Sequence, residues 1–176
     1  MDARDASRFD GFLGSHRSNV DRQRALHILR DDGLWVNRMV AATVLSNFPA
    51  SDTTWWALAR ALRDPHEAVR QTAGIVLAAL PARTIDWQPV TSDLRLLLGG
   101  TNLPGIESLF DVLARTNVSP TLASPLLRGN AVWVLDHLEA ETPMAGPAAH
   151  RLLVQLHRGI DLGSTRRPWA AWAARL

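Results

Sequence analysis

The segment LARALRDPHEAVRQTAGIVLAAL, Leu58 to Leu80, spells out two helices and the turn between them. Ser51-Asp52 offers an N-cap ahead of it, and Trp56, Ala59 and Leu62 follow at helical spacing. Asp64 is placed to end this first helix and cap the next. Pro65 then takes the first helical position, where its missing N–H costs nothing. Glu67, three residues past Asp64, completes a carboxylate version of a capping box. Val69, Ala73, Val76, Leu77 and Leu80 form one apolar stripe, and the small Ala73 and Gly74 let the paired helix come close.

An earlier copy is present. Leu29-Arg30-Asp31 aligns with Leu62-Arg63-Asp64 at an offset of 33, and Arg38, Ala41, Val44, Leu45 and Phe48 align with Arg70, Ala73, Val76, Leu77 and Leu80 at an offset of 32. The slip of one is assigned to the turn Asp32-Gly33-Leu34-Trp35. A two-helix unit of this length is a solenoid period, in which each hairpin buries its apolar face against the next.

The pattern L-R-D-P-x-x-x-V-R-x-x-A-(A/G)-x-x-L of the clearer copy resembles the HEAT repeat in its short bacterial form. Asp64 and Arg70 match that family's recurring Asp and Arg, as do Asp31 and Arg38 in the earlier copy. The resemblance implies that these residues bond within and between neighbouring repeats. It covers roughly Val20 to Leu80. It implies an all-α fold: a right-handed α-solenoid of about four to five HEAT-like helical hairpins, the last ones degenerate. On this reading residues 1–176 form a single domain, with clear repeats at 20–80, degenerate ones at 84–158 and a C-terminal capping helix at 164–176.

Beyond Pro81 the helical rhythm continues while the repeat pattern decays. Asp93 to Leu98 and Pro104 to Arg115 read as a pair, with Gly99-Gly100 in place of the Arg-Asp turn. Ser119-Pro120 and Ser124-Pro125 are cap-plus-proline starts leading into a helix from Leu126 to about Ala140. A further helix runs from about Pro147 to Arg158 and ends at Gly159. In the last segment Trp169 and Trp172 lie three apart, on one helical face. Its G-x-D-x-G…P-W-x-x-W pattern resembles closing segments of some bacterial HEAT proteins. No stretch alternates long enough to demand a strand, and Trp87-Gln88-Pro89-Val90 reads as a loop.

Composition excludes several chemistries. With no Cys there are no disulfides, thiolate zinc sites, iron–sulfur clusters or Cys nucleophiles. All 19 basic residues are Arg; without Lys there is no Walker-type phosphate loop and no Schiff-base enzyme. With Lys, Tyr and Cys all absent, little titrates between His and Arg. A net charge of only +2 therefore carries the isoelectric point far upward without marking a nucleic-acid surface. Residues 1–83 hold eleven Arg against nine acids, residues 84–150 three against seven, and residues 151–176 five against one. Solvated helix faces account for that spread, and so would steering of a charged partner. No apolar run approaches the ~20 residues of a membrane span, and Met1 to Ser15 contains no secretory core, so a cytoplasmic protein is expected.

No catalytic, cofactor or metal site is expected. His66-Glu67 resembles one of the His-Glu pairs of deoxyhypusine hydroxylase, a HEAT-type di-iron enzyme; that resemblance implies several such pairs, and there is one. His27 and Asp31, and His137 and Glu141, are four apart, and His150 and His157 seven apart. None forms H-E-x-x-H. Gly99-Gly100-Thr101-Asn102 reads as a turn with a helix cap.

The expected function is that of a noncatalytic protein-interaction or scaffolding module. Trp55, with Arg60 and Arg63 on the same helix, is the leading candidate contact, lying near the core's edge if Trp56 enters the core; the other reading is that both rings fill space between repeats. Asn37, Gln71, Glu107 and Asp111 are non-core positions of second helices, the ones that line a solenoid's concave face. The main alternative is nucleic-acid binding, as in the HEAT-like alkylpurine DNA glycosylases, although no segment matches that family's site. A third is a bilin-lyase-like protein, for which no residue marks a tetrapyrrole pocket.

Overall fold

The computed structural model describes residues 11–139 and 145–176; among them all regular structure is helical and no strand occurs. Residues 1–81 and 82–176 form two units, each with its own core.

In the first unit, residues 11–15 are helical and lead into α1 (Asn19–Asp31). Its start is a reciprocal capping box that the sequence reading overlooked. Ser18 Oγ accepts from Asp21 N–H at 3.1 Å, and Asp21 Oδ2 accepts from Ser18 N–H at 3.0 Å. α2 (Trp35–Val44) runs into a 3₁₀ turn at Leu45–Asn47; α3 (Asp52–Ala61) and α4 (Glu67–Ala79) complete a second hairpin. α1 packs on α2 and α3 on α4, and the hairpins meet first helix to first helix and second to second. The expected stripe of α4 (Val69, Ala73, Val76, Leu77, Leu80) is wholly buried. Buried Ala41, Ala42 and Ala73 keep the α2–α4 approach close.

Two local expectations fail. Asp64 does not cap α4: His66 holds the N-cap position, and its imidazole accepts from Ala68 N–H at 3.3 Å. The Asp64 carboxylate is engaged elsewhere, and Glu67 Oε1 accepts from Gln71 Nε2 at 2.7 Å instead of closing a box. The second failure concerns the tryptophans. Trp55 is fully buried, its Nε1–H donating to Pro49 O at 2.9 Å, whereas Trp56 is half-buried. The reason is helix phase. Trp55, Leu58, Ala59 and Leu62 share the buried arc, which turns Trp56 toward α1.

The second unit comprises α5 (Thr91–Leu98), α6 (Leu103–Arg115), α7 (Ala123–Leu127), α8 (Ala131–Leu138), α9 (Ala145–Leu156) and α10 (Arg166–Ala173). α9 packs on α6 and α8, α10 on α8, and α5 on α7. The single helix expected from Leu126 to about Ala140 is divided at Gly129, whose φ of +81° is open to glycine but strained for other residues; Ala140 lies outside the described residues. The Trp87 segment, read as a loop, includes a 3₁₀ turn at Gln88–Val90. Trp87 itself is fully buried, with Nε1–H donating to Thr116 Oγ1 at 2.8 Å.

The C-terminal aromatic pair closes this unit. Trp169 and Trp172 are both buried, set edge to face with ring centroids 5.8 Å apart, and both pack on His157. Trp169 Nε1–H donates to Gly163 O at 2.6 Å. Asp161 Oδ1 takes Gly163 N–H at 2.7 Å and lies 2.8 Å from His150 Nε2. The spaced Gly, Asp and Trp of the closing pattern thus belong to one hydrogen-bonded knot.

Candidate functional site

In the first unit, the inter-helix turns supply the polar framework. Arg38 Nη1 donates to Asp32 O at 2.7 Å, and Arg70 Nη1 donates to Asp64 O at 2.8 Å, each reaching back six residues. Asp32 Oδ1 accepts from Leu34 N–H, as Asp64 Oδ1 does from His66 N–H, at 2.7 and 2.8 Å. Asp32, not Asp31, is therefore the counterpart of Asp64, and the offset from the acid onward is 32. The one-residue slip lies before the acid: Leu29 precedes Asp32 by three positions, and Leu62 precedes Asp64 by two. Asp31 is held by Arg30 at 2.8–3.0 Å and lies 3.0 Å from His27.

The two hairpins are joined through this framework. Arg38 also forks onto both oxygens of Asp64, and Trp35 lies flat on His66 with ring centroids 4.0 Å apart. Burial alone would push the Asp64 carboxyl up. The Arg38 hydrogen bonds, the His66 N–H and the guanidinium charge outweigh it and hold the group below the ordinary carboxylate range.

On the other side, the first helices leave space between them. A groove of about 520 Å³ opens between α1 and α3. Its floor is apolar, with Leu29 and Ala61 buried and Leu26, Trp56 and Ala57 half-buried. Its rim carries Gln23, His27, Arg30, Thr53, Arg60 and Arg63. Arg30, Arg60 and Arg63 are exposed residues. The only acid of the lining, Asp64, is already paired with Arg38. At one end, Arg22 on α1 bridges to Ser51 and Thr53 at the start of α3. The groove is thus a concave, partly apolar surface with arginines on its rim, of which Arg30 is paired with Asp31.

The residues singled out from the sequence fall in different places. Arg60 and Arg63 line this groove; Trp55 does not, and Trp56 holds the half-buried edge position expected for Trp55. Asn37 is exposed on α2, bonded to Asp32 Oδ2 at 3.0 Å, beside a smaller apolar hollow of about 180 Å³. Gln71 is exposed on α4. Glu107 and Asp111 are half-buried on α6 in the second unit, where Asp111 pairs with Arg115 at 2.8 Å and with Arg151 at 3.7 Å. The first-helix side of the groove went unread, although Arg22, Leu26 and Arg30 recur every four residues, as Trp56 and Arg60 do.

Among the described residues no three His, Asp or Glu side chains converge as metal ligands. His66 is occupied as a helix cap. Buried His137 sets Nδ1 2.7 Å from Trp133 O, while Glu141, its sequence partner, lies outside the described residues. The turn at Gly99–Asn102 joins α5 to α6. No described helix is long and apolar enough to cross a membrane. No family model and no curated protein matches the chain.

Proposed function

We propose that this chain is a noncatalytic docking module of HEAT-like helical hairpins, stacked as a right-handed solenoid, that binds another protein within a larger assembly. The groove between α1 and α3 carries the reading. A half-buried Trp beside exposed arginines, over an apolar floor, is the residue chemistry of interface hot spots. The paired Arg38–Asp64 and Trp35–His66 contacts support the repeat assignment, because each ties one hairpin to the next. The knot around Trp169 suits the capping role given to the last helix. Affinity capture from the native host, followed by reconstitution from purified components, tests the proposal. A stoichiometric complex with a second protein is expected; recovery of no protein that reconstitutes would overturn it.

A further inference from the structure

We propose that His66 makes the joint between the two hairpins of the first unit respond to pH: its neutral ring caps α4, and its protonated ring gives up that cap for the Trp35 face and the Asp64 carboxylate. The geometry carries this. His66 is the N-cap residue of α4, and its Nδ1 accepts from Ala68 N–H at 3.3 Å. Only an unprotonated Nδ1 can accept, so the capping ring is the neutral tautomer with its proton on Nε2. A proton added at Nδ1 sets two donors against each other. It also places a positive charge at the positive end of the α4 dipole.

The same ring has partners that favour the cation. Trp35 lies parallel to it, the planes 4° apart, so a charged imidazole meets the negative face of the indole. A charge on His66 also stabilises the Asp64 carboxylate. The other charged groups at the joint are already engaged. Arg38, from α2, holds both oxygens of Asp64; on α4, Glu67 is bonded to Gln71, and Arg70 donates to Asp64 O and Pro65 O. Arg60 and Arg63, at the end of α3, line the α1–α3 groove.

Titration of His66 therefore exchanges one set of partners for another. Ala68 N–H lies in the first turn of α4, where no helix carbonyl can take it, so water replaces the ring that lets go. Histidine side chains change charge between about pH 8 and pH 5. Over that span the first turn of α4 loosens while the Arg38–Asp64 fork beside it persists.

The test follows the isotope-labelled full chain by nuclear magnetic resonance from about pH 8 to about pH 5. Long-range ring correlations should show His66 as the Nε2–H tautomer at the alkaline end. The Ala68 amide resonance should then move with the same midpoint as the His66 ring. Its temperature coefficient should steepen from that of an amide bonded within the protein to that of one bonded to water. His66→Asn keeps a side-chain acceptor at the N-cap and cannot titrate, so its Ala68 amide should hold its position over the same range. A neutral ring carrying its proton on Nδ1 would overturn the inference. So would a constant Ala68 temperature coefficient while the ring titrates, or an Ala68 transition that survives in His66→Asn. The wild-type titration decides alone if the variant does not fold.

Discussion

Arg38 and Asp64 meet fork to fork across the two hairpins of the first unit, Nε to Oδ2 at 2.7 Å and Nη2 to Oδ1 at 2.8 Å, with side chains only 11% and 7% exposed. The guanidinium also donates to Asp32 O, and the carboxylate also accepts from His66 N–H. One ion pair therefore organises both inter-helix turns, and the α2–α4 packing next to it depends on those turns.

Removing either partner leaves the other charge buried and uncompensated. Arg38→Ala and Asp64→Ala should each lower unfolding stability by about 3 kcal/mol or more. Arg70→Ala should cost less, because Arg70 donates to the carbonyls of Asp64 and Pro65 and not to a carboxylate. Urea titrations of the three single variants and of the Arg38/Asp64 double variant check this. The double variant should recover more than about 1 kcal/mol relative to the sum of the two single losses.

The same pair sets a pH dependence. The Asp64 carboxyl is held below its ordinary value in the folded chain, so the folded state binds its proton less readily than the unfolded state does. Its contribution is complete above the unfolded carboxyl value of about 4 and is lost as pH falls through the folded value. Asp31, held first by its hydrogen bonds from Arg30, and Asp32, held first by the Leu34 N–H, are lowered as well and add to the loss in the same direction. Urea midpoints measured between neutral and acid pH should fall below about pH 4 to 5 in the wild type. Asp64→Asn, already less stable at neutral pH, should show the smaller further drop.

The second helix of the clear repeat was legible because its whole stripe, Val69 to Leu80, is buried, and apolar period reports burial directly. The caps and the tryptophans were harder to read. Asp64 looks like a cap in sequence, but Arg38, 26 residues earlier, competes for its carboxylate, and that competition is invisible to a local pattern. For Trp55 and Trp56, adjacent positions about 100° apart are equally apolar, so only the packing of α3 against its neighbours selects the buried one. The break at Gly129 was missed because the apolar residues resume in phase beyond it. The groove required knowing that α1 and α3 are neighbours.

Trp55 and Trp56 should separate stability from binding. Trp55→Ala empties a fully buried site and frees Pro49 O, and it should cost about 3–5 kcal/mol in urea unfolding. Trp56→Ala removes a half-exposed ring and should cost less than about 1.5 kcal/mol. Partner capture should show the reverse order once both variants are compared under conditions where each is folded.

Two buried threonines make opposite predictions for the same substitution. Thr54 is fully buried on α3, and its hydroxyl has no hydrogen-bond partner among the described residues. Thr54→Val should therefore raise stability by about 1 kcal/mol. The Thr116 hydroxyl accepts from buried Trp87 Nε1–H and donates to Val112 O. Thr116→Val strands the indole donor and should lower stability by about 1–3 kcal/mol. Thermal melts of the two variants, run beside the wild type, should shift in opposite directions.

The closing knot of the second unit can be tested at one backbone position. Gly163 has φ of +88° with open space around its Cβ direction, so a side chain meets strain and no clash. Gly163→Ala should cost about 1–2 kcal/mol for forcing an L-residue into the left-handed region, or else turn the Gly163 carbonyl away from Trp169 Nε1. Gly33 also has open space but no positive φ, so Gly33→Ala should be neutral or gain up to about 1 kcal/mol through the stiffer unfolded chain. Indole proton spectra give the decisive readout. The Trp169 resonance should move in Gly163→Ala and stay in place in Gly33→Ala, whereas equal stability and unchanged spectra in both would show that the knot does not depend on the left-handed turn.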